Sequence, residues 1–172
     1  MNREMKQMVS CVFPGSFDPI TSGHLDLIRR ASCLFDRVTV VVMINIHKNG
    51  LIPVEQRIKM IQTACSDLPN VSVDKWDGLL ADYLSVNHEK IIVRGLRNTL
   101  EFEQEQASSI ANRMLNESAE TLFLPSDPEL SAVSSSAVRE IASFGGDISR
   151  FVPGVLLKEI ESFLSKKNKN KR

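Results

Sequence analysis

Two patterns of apolar and polar positions alternate along the chain. Short, nearly continuous apolar runs are typical of strands buried on both faces, and longer stretches with apolar residues three or four apart are typical of helices. Such runs, together with short strand-like segments between the helical stretches, predict five strands, at 9–13, 37–44, 71–75, 90–93 and 121–124. The longer stretches predict helices at 23–35, from Pro53 onward, and at 79–86, 99–116, 134–144 and 153–164.

The order of these elements predicts the fold class. Strands that alternate with helices indicate right-handed crossovers and a parallel sheet. We therefore expect an α/β fold, a single-domain, Rossmann-like, doubly wound sheet of five parallel strands with flanking helices. Residues 1–165 would form this domain, and the basic segment 166–172 a disordered C-terminal tail.

Apolar residues at helical spacing predict which helix faces are buried. In the helix at 99–116, Ala107, Ile110, Ala111 and Met114 fall in register. This pattern predicts an apolar face that packs against the core.

The charge distribution limits what the domain can bind. The chain holds 21 basic and 21 acidic residues, but 166–172 contains five of the basic and none of the acidic ones. The rest of the chain is therefore net acidic, and a bound phosphate must be held by local groups. Nucleic-acid binding is not expected, since no aromatic residues are interleaved with the basic tail.

The cysteines and the apolar runs indicate the cellular compartment of the protein. Cys11, Cys33 and Cys65 are isolated in apolar patterns, without CxxC spacing, and are predicted to be reduced core thiols. The N-terminal residues lack the apolar stretch of a signal peptide, and the apolar run at 38–44 is too short to span a bilayer. These features predict a cytoplasmic protein with no membrane partner.

The most distinctive loop follows the first predicted strand. Residues 14–24 hold two prolines and two glycines and end in His24, where a helix begins. A helix start offers free N–H groups and a positive dipole end, which together suit an anion. The alternative is a tight strand-to-helix turn that carries a surface histidine.

Three further loops after strands carry candidate phosphate-binding residues. Lys48 follows the second strand, Arg94 and Arg97 follow the fourth, and the serines at 134–136 precede a helix. Each also has a purely structural explanation: a solvated lysine, surface or capping arginines, and a serine cap. Ligands bind at the carboxyl edge of such sheets, and the shared position of these loops favours a phosphate site there. Walker A, GxGxxG, zinc and nucleophile-elbow motifs are absent.

Two short motifs resemble those of a known superfamily. Residues 21–24, TSGH, match the (H/T)xGH signature of the nucleotidyltransferases, and residues 135–139, SSAVR, match their SSxx(R/K) signature. Within that superfamily the chain most resembles bacterial phosphopantetheine adenylyltransferase. The likeness runs from about residue 11 to residue 163 and includes the segments FPGSFDPIT, IIVRGLR, EFEQE and VSSSAVRE in the family's order.

The resemblance implies an enzyme of coenzyme A biosynthesis. It would transfer AMP from ATP to 4′-phosphopantetheine, giving dephospho-coenzyme A and pyrophosphate, with Mg²⁺ carried by the substrate phosphates and no protein metal site. The family is typically a homohexamer in the cytoplasm. The alternatives are an adenylyl- or cytidylyltransferase acting on another phosphorylated small molecule, and a binding protein that keeps the fold without turnover.

The resemblance also implies roles for individual residues. His24, Lys48 and Arg94 would be catalytic. Phosphopantetheine would contact Ser16, Lys48, Leu80 and Arg94. ATP would contact Ser16, Phe17, His24, Gly95, Leu96, Arg97, Glu105, Leu130, Ser131, Ala132, Val133, Ser134, Ser135 and Ser136.

The chain departs from the family pattern on the adenine side. Gln104 stands where the family often has an aromatic residue, and Leu130 stands where many members have tryptophan. The loop at 126–131 is one residue longer, and Asn49-Gly50 replaces a lysine-proline type of sequence. The departures bear on adenine recognition and leave the phosphate-side motifs intact.

Overall fold

A single parallel sheet organises the computed structural model, which describes residues 8–45 and 50–169. Its strands are β1 (Ser10–Gly15), β2 (Arg37–Met43), β3 (Val71–Trp76), β4 (Ile91–Leu96) and β5 (Glu120–Pro125). They lie in the order β3-β2-β1-β4-β5, and every neighbouring pair is parallel. The predicted five-stranded α/β fold is confirmed.

Six helices connect or follow these strands. They are α1 (Ser22–Leu34), α2 (Val54–Ala64), α3 (Leu80–Val86), α4 (Thr99–Leu115), α5 (Ser135–Ser143) and α6 (Leu157–Lys169). Short 3-10 turns at Pro128–Leu130 and Gly154–Leu156 precede α5 and α6. α6 extends five residues beyond its predicted end and takes in the start of the basic tail.

The strand order reverses between β1 and β4. β1 runs beside β2 through six residue pairs, from Ser10 with Arg37 to Gly15 with Val42. Its register with β4 is set by Val12 and Ile92, short of the carboxyl ends of both strands. This switch point is where a doubly wound sheet leaves a crevice for ligands.

Alternate residues of the strands feed separate cores on the two faces of the sheet. Along β1, Cys11 and Phe13 join the larger cluster, whereas Val12 joins the smaller one. The larger cluster includes Ile28 of α1 and Ile61 of α2, so these helices cover that face. Burial on both faces explains why β1 and β2 read as nearly continuous apolar runs.

Two burial predictions are wrong. Helix α4 has no buried residue, and Ile110 and Met114 on its predicted core face are 56% and 81% exposed. Cys33 is also exposed, whereas Cys11 and Cys65 are buried as predicted. In residues 8–45 and 50–169, no helix is long and apolar enough to cross a membrane.

Candidate active site

The β1–α1 loop is locked by a reciprocal cap at the start of α1. Thr21 is the N-cap, and its hydroxyl accepts a hydrogen bond from the His24 backbone N–H at 3.3 Å. The Nδ1 atom of His24 accepts in return from the Thr21 backbone N–H at 3.1 Å. His24 therefore takes the position that Glu or Gln fills in a capping box.

The cap fixes the tautomer of His24, and burial keeps its imidazole neutral. Since the Thr21 N–H can only donate, Nδ1 is unprotonated and the ring proton lies on Nε2. Burial, with smaller effects from Arg94 and Arg97, lowers the pKa of His24 to about 4. The imidazole is therefore neutral at physiological pH and presents one N–H donor.

Phe17 packs against the imidazole ring of His24. Its backbone has a φ of 46°, in the left-handed region that non-glycine residues rarely adopt. The ring is 1% exposed and meets the His24 ring edge-on, with centroids 5.1 Å apart. A Cβ on Gly15 would lie 2.9 Å from the Phe17 ring, so this packing requires glycine.

Arg94 near the end of β4 is held by two elements. Its Nε donates to Glu105 Oε2 on α4 at 2.7 Å, and its Nη2 pairs with the other carboxylate oxygen. Its Nη1 donates to the carbonyl of Pro14 on β1 at 2.5 Å. A bidentate arginine–carboxylate pair has little rotational freedom, so Arg94 is oriented before any ligand arrives.

Arg97, directly after β4, is also held by a glutamate of α4. Its guanidinium pairs with Glu101, which also accepts from the Arg97 backbone N–H at 3.0 Å. Its Nη1 donates to the carbonyl of Val133 at 3.3 Å. Glu105 and Glu101 of α4 therefore hold Arg94 and Arg97, respectively.

The start of α5 supplies the opposite wall. Ser134 is the N-cap, with its hydroxyl accepting from the Ala137 N–H at 3.0 Å. Ser135 Oγ donates to the Pro19 carbonyl at 2.7 Å, and Arg139 Nη1 donates to the Asp18 carbonyl at 2.6 Å. These bonds tie α5 to the β1–α1 loop, so the N-termini of α1 and α5 face the same space.

Two adjoining clefts open at this edge of the sheet. The first has a volume of about 350 Å³, and its lining includes Thr21, Gly23 and His24 of the α1 start with Arg97 and Arg139. The second has a volume of about 290 Å³. They share five lining residues, namely Pro14, Gly15, Ser16, Arg94 and Glu105. The arrangement suits two ligands that meet beside Ser16 and Arg94.

Most of the residues predicted for the site line these clefts. In the first cleft they are Ser16, His24, Arg94, Gly95, Arg97, Glu105, Leu130, Val133, Ser134, Ser135 and Ser136. Leu80 lines the second cleft. Phe17, Leu96, Ser131 and Ala132 line neither cleft. Lys48 lies outside the described residues.

Sequence reasoning missed two kinds of site residue. Glu101 is absent from the predicted site, and Glu105 is predicted there only as an ATP contact, although both fall on the following helix, four residues after Arg97 and eleven after Arg94. Arg57 was not singled out, because an arginine on a helix usually lies in solvent.

Comparison with known proteins identifies the family and the fold. The cytidylyltransferase-like family model matches residues 12–141. A crystal structure described as a nicotinate-nucleotide adenylyltransferase from Vibrio parahaemolyticus superposes with a TM-score of 0.60 at 22% identity, covering 90% of this chain and 94% of that one. The chain belongs to the cytidylyltransferase-like family, and its fold is that of a nucleotidyltransferase.

Curated relatives narrow the family further. Phosphopantetheine adenylyltransferase from Clostridium perfringens is 43% identical over 90% of this chain and 94% of its own length. Its namesakes from Finegoldia magna and Dictyoglomus thermophilum are 45% and 44% identical, over 87% and 89% of this chain and 93% of each relative. Within the nucleotidyltransferases, the chain is a member of the phosphopantetheine adenylyltransferase family.

Proposed function

We propose that the protein transfers the adenylyl group of ATP to 4′-phosphopantetheine, giving dephospho-coenzyme A and pyrophosphate. The observation that carries this proposal is the pair of clefts that meet at Ser16 and Arg94. A reaction that joins two phosphorylated molecules needs two sites with a common boundary. The names of the curated relatives supply the identity of the two substrates.

The first cleft has the donors that a triphosphate requires. Two helix N-termini border it, and Arg97, Arg139 and the hydroxyl of Ser136 lie in its lining beside Ser135, whose own hydroxyl donates to the Pro19 carbonyl. His24 belongs to the start of α1 and the serines to the start of α5. We assign the serines to the β- and γ-phosphates, where they would help pyrophosphate to leave.

His24 would act on the α-phosphate as it becomes five-coordinate. Its neutral imidazole offers the Nε2 proton to a phosphate oxygen whose charge increases in the transition state. Nδ1 is occupied by the Thr21 N–H, so the ring cannot turn to present its other nitrogen without breaking the cap. The nucleophile is an acceptor phosphate oxygen that is already anionic, so direct in-line attack needs no general base.

The second cleft suits the acceptor. Met43, Leu80 and Ile92 provide apolar wall, while Ser109 and Asn112 of α4 and Thr121 of β5 provide polar groups. A pantetheine arm likewise alternates methylene, methyl and amide groups. Arg94 at the boundary would hold the acceptor phosphate against its repulsion from ATP, together with Lys48 by family resemblance.

Magnesium would be carried mainly by the substrate phosphates. The acidic side chains found in the cleft linings, Glu101 and Glu105, are paired with arginines. In residues 8–45 and 50–169 there is no group of three or more potential metal-ligating side chains. Mg²⁺ commonly binds with few protein ligands when phosphates are available, and it would neutralise charge on the departing pyrophosphate.

Self-association is part of the proposal. Helix α4 turns Glu105, Ser109 and Asn112 toward the clefts and leaves Ile110 and Met114 exposed. Such an apolar face on a folded protein favours a partner surface, and a second copy of the chain is consistent with the homohexamer of the resembled family. We also assign the protein to the cytoplasm, where coenzyme A precursors are made.

A substrate panel tests the proposed function. The full-length protein with Mg²⁺ would be supplied with ATP or CTP and with 4′-phosphopantetheine or other phosphorylated acceptors, and pyrophosphate release would be followed. We expect release to be fastest for ATP with 4′-phosphopantetheine. Faster release with another acceptor or with CTP would favour a different nucleotidyltransferase. Ligand binding with no pyrophosphate at any Mg²⁺ concentration would favour a binding protein.

A further inference from the structure

The buried guanidinium of Arg57 is unexplained by the proposed chemistry. Arg57 belongs to α2 and is only 7% exposed. It lines neither cleft. Burying an arginine is costly unless its donors and its charge are matched, so its partners indicate what the residue does.

The partners of Arg57 lie on two different loops. Its Nε donates to the Ile52 carbonyl at 2.7 Å, and its Nη1 donates to the Ser16 carbonyl at 3.0 Å. The Asp18 carboxylate lies 4.0 Å from Nε and accepts from the backbone N–H groups of Leu51 at 2.7 Å and Ile52 at 2.8 Å. We call this pair, Asp18 and Arg57, the clasp: it joins the β1–α1 loop to the segment that leads into α2.

The backbone of Gly50 lies against the clasp. A Cβ at this position would lie 2.1 Å from Arg57 Nη2 and 3.4 Å from Asp18 Oδ2. Any side chain there would push the guanidinium away from its carbonyl partners. The clasp therefore depends on glycine at position 50 as well as on the two charged residues.

We propose that Arg57 is a positioning residue for adenylyl transfer, acting through the backbone of Ser16. This inference rests on the proposed function. Ser16 lines both clefts, at the boundary where donor and acceptor phosphates would meet. By fixing the Ser16 carbonyl, Arg57 sets the distance and line of approach between the two ligands. In-line transfer is sensitive to such placement, and a displacement of about 1 Å can cost roughly a hundredfold in rate.

A substitution of Arg57 tests the positioning of the loop without removing a side chain from the cleft, which substitutions of the other loop-binding residues cannot do. Arg139 and Ser135 also hold carbonyls of the β1–α1 loop, but both line the first cleft. Substituting either would remove a ligand contact together with a loop contact. Substituting Arg57 alters the loop while leaving the cleft lining in place.

The test compares three variants of the full-length protein. Arg57→Met removes the donors, Gly50→Ala displaces the guanidinium without removing any charge, and Gly154→Ala is the matched control because no atom lies within 4 Å of its added Cβ. Initial rates would be measured against both substrates, with melting temperature and folded fraction. We expect Arg57→Met and Gly50→Ala to lower kcat about ten- to hundredfold, with both KM values within about threefold of wild type. Gly154→Ala should match wild type.

The outcomes separate this inference from the proposed function. If wild type does not release pyrophosphate from the two substrates, the proposed function fails, and the inference fails with it. If wild type turns over and both clasp variants keep its kcat per folded molecule, Arg57 has only a structural role and the inference is overturned. Should Arg57→Met fail to fold, Gly50→Ala decides the matter. In a double variant that does fold, Gly50→Ala should add no further loss to Arg57→Met.

Discussion

At the scale of single residues, His24 serves structure and chemistry with opposite edges of one ring. Nδ1 accepts from Thr21 and completes the helix cap, while Nε2 carries the proton available to a ligand. The cap therefore sets the tautomer that the proposed reaction requires. A residue that performs both tasks can be tested by variants that separate them.

Replacing His24 tests its assigned role. We expect His24→Ala to leave a folded protein and to lower kcat by roughly a hundredfold or more, the scale for losing one transition-state donor. His24→Gln is the control for the cap, because Gln at this position can accept from the N-cap N–H. It should be as stable as wild type at pH 8, and its kcat should lie between those of His24→Ala and wild type, because the Gln amide can still donate an N–H. Near-normal turnover in His24→Ala would exclude a catalytic role for the imidazole.

The lowered pKa of His24 predicts a pH-dependent contribution to stability. The folded-state pKa of about 4 lies below the ordinary histidine pKa of 6.5, so the unfolded chain binds more protons between these pH values. Stability from the neutral ring is complete above about pH 6.5 and is lost as the pH falls toward 4. The wild-type free energy of unfolding should then decline more steeply than that of His24→Gln, by at most about 1.4 kcal/mol per pH unit. Parallel urea-unfolding profiles from pH 7 to pH 4 would show that His24 is not the cause.

At the scale of secondary-structure elements, the apolar positions Ile110 and Met114 of α4 point away from the core that the sequence pattern predicts for them. The apolar spacing correctly predicts a helix, but it does not say what each face packs against. Glu101 and Glu105 turn inward because the arginines at the end of β4 pair with them, and Ile110 and Met114 are left outward. Ion pairs formed across the fold are invisible to a periodicity argument, so the buried face was predicted wrongly.

The pairing of β4 with α4 gives a prediction for Glu105. Glu105→Gln removes the charge that holds Arg94 in its bidentate geometry. We expect the KM for 4′-phosphopantetheine to rise about tenfold, because a free Arg94 must be ordered again on binding. The KM for ATP should change less, and Glu103→Gln, on the same helix, is the control. A rise confined to the KM for ATP would instead support the direct ATP contact that family resemblance implies.

At the scale of the whole molecule, the sequence predicts what is repeated and local. Short strand-like segments between helical stretches predict all five strands, and the loops after them predict the edge that carries the site. Packing between distant segments decides the lengths of the helices and strands, the order of the strands and the joining of the two clefts. The contact of Arg57 with Ser16, 41 positions apart, is an example. The predicted burial of Cys33 is wrong for the same reason, because the exposure of this residue depends on which segments cover the end of α1.

The exposed face of α4 predicts an assembly. Ile110→Lys places a charge in the centre of that face and should shift the protein from an oligomer to smaller species in light scattering. Glu117→Lys, a charge change at an exposed position just beyond the end of α4, serves as the control. A wild-type protein that is monomeric at all concentrations would contradict the assembly.

The most direct test of the central claim is the identity of the product formed by the purified wild-type protein. ATP, 4′-phosphopantetheine and Mg²⁺ would be supplied together, and the products would be identified by mass. The account predicts dephospho-coenzyme A and pyrophosphate in equal amounts, with neither formed when the acceptor is omitted. Release of pyrophosphate with free AMP, or no dephospho-coenzyme A at all, would contradict it.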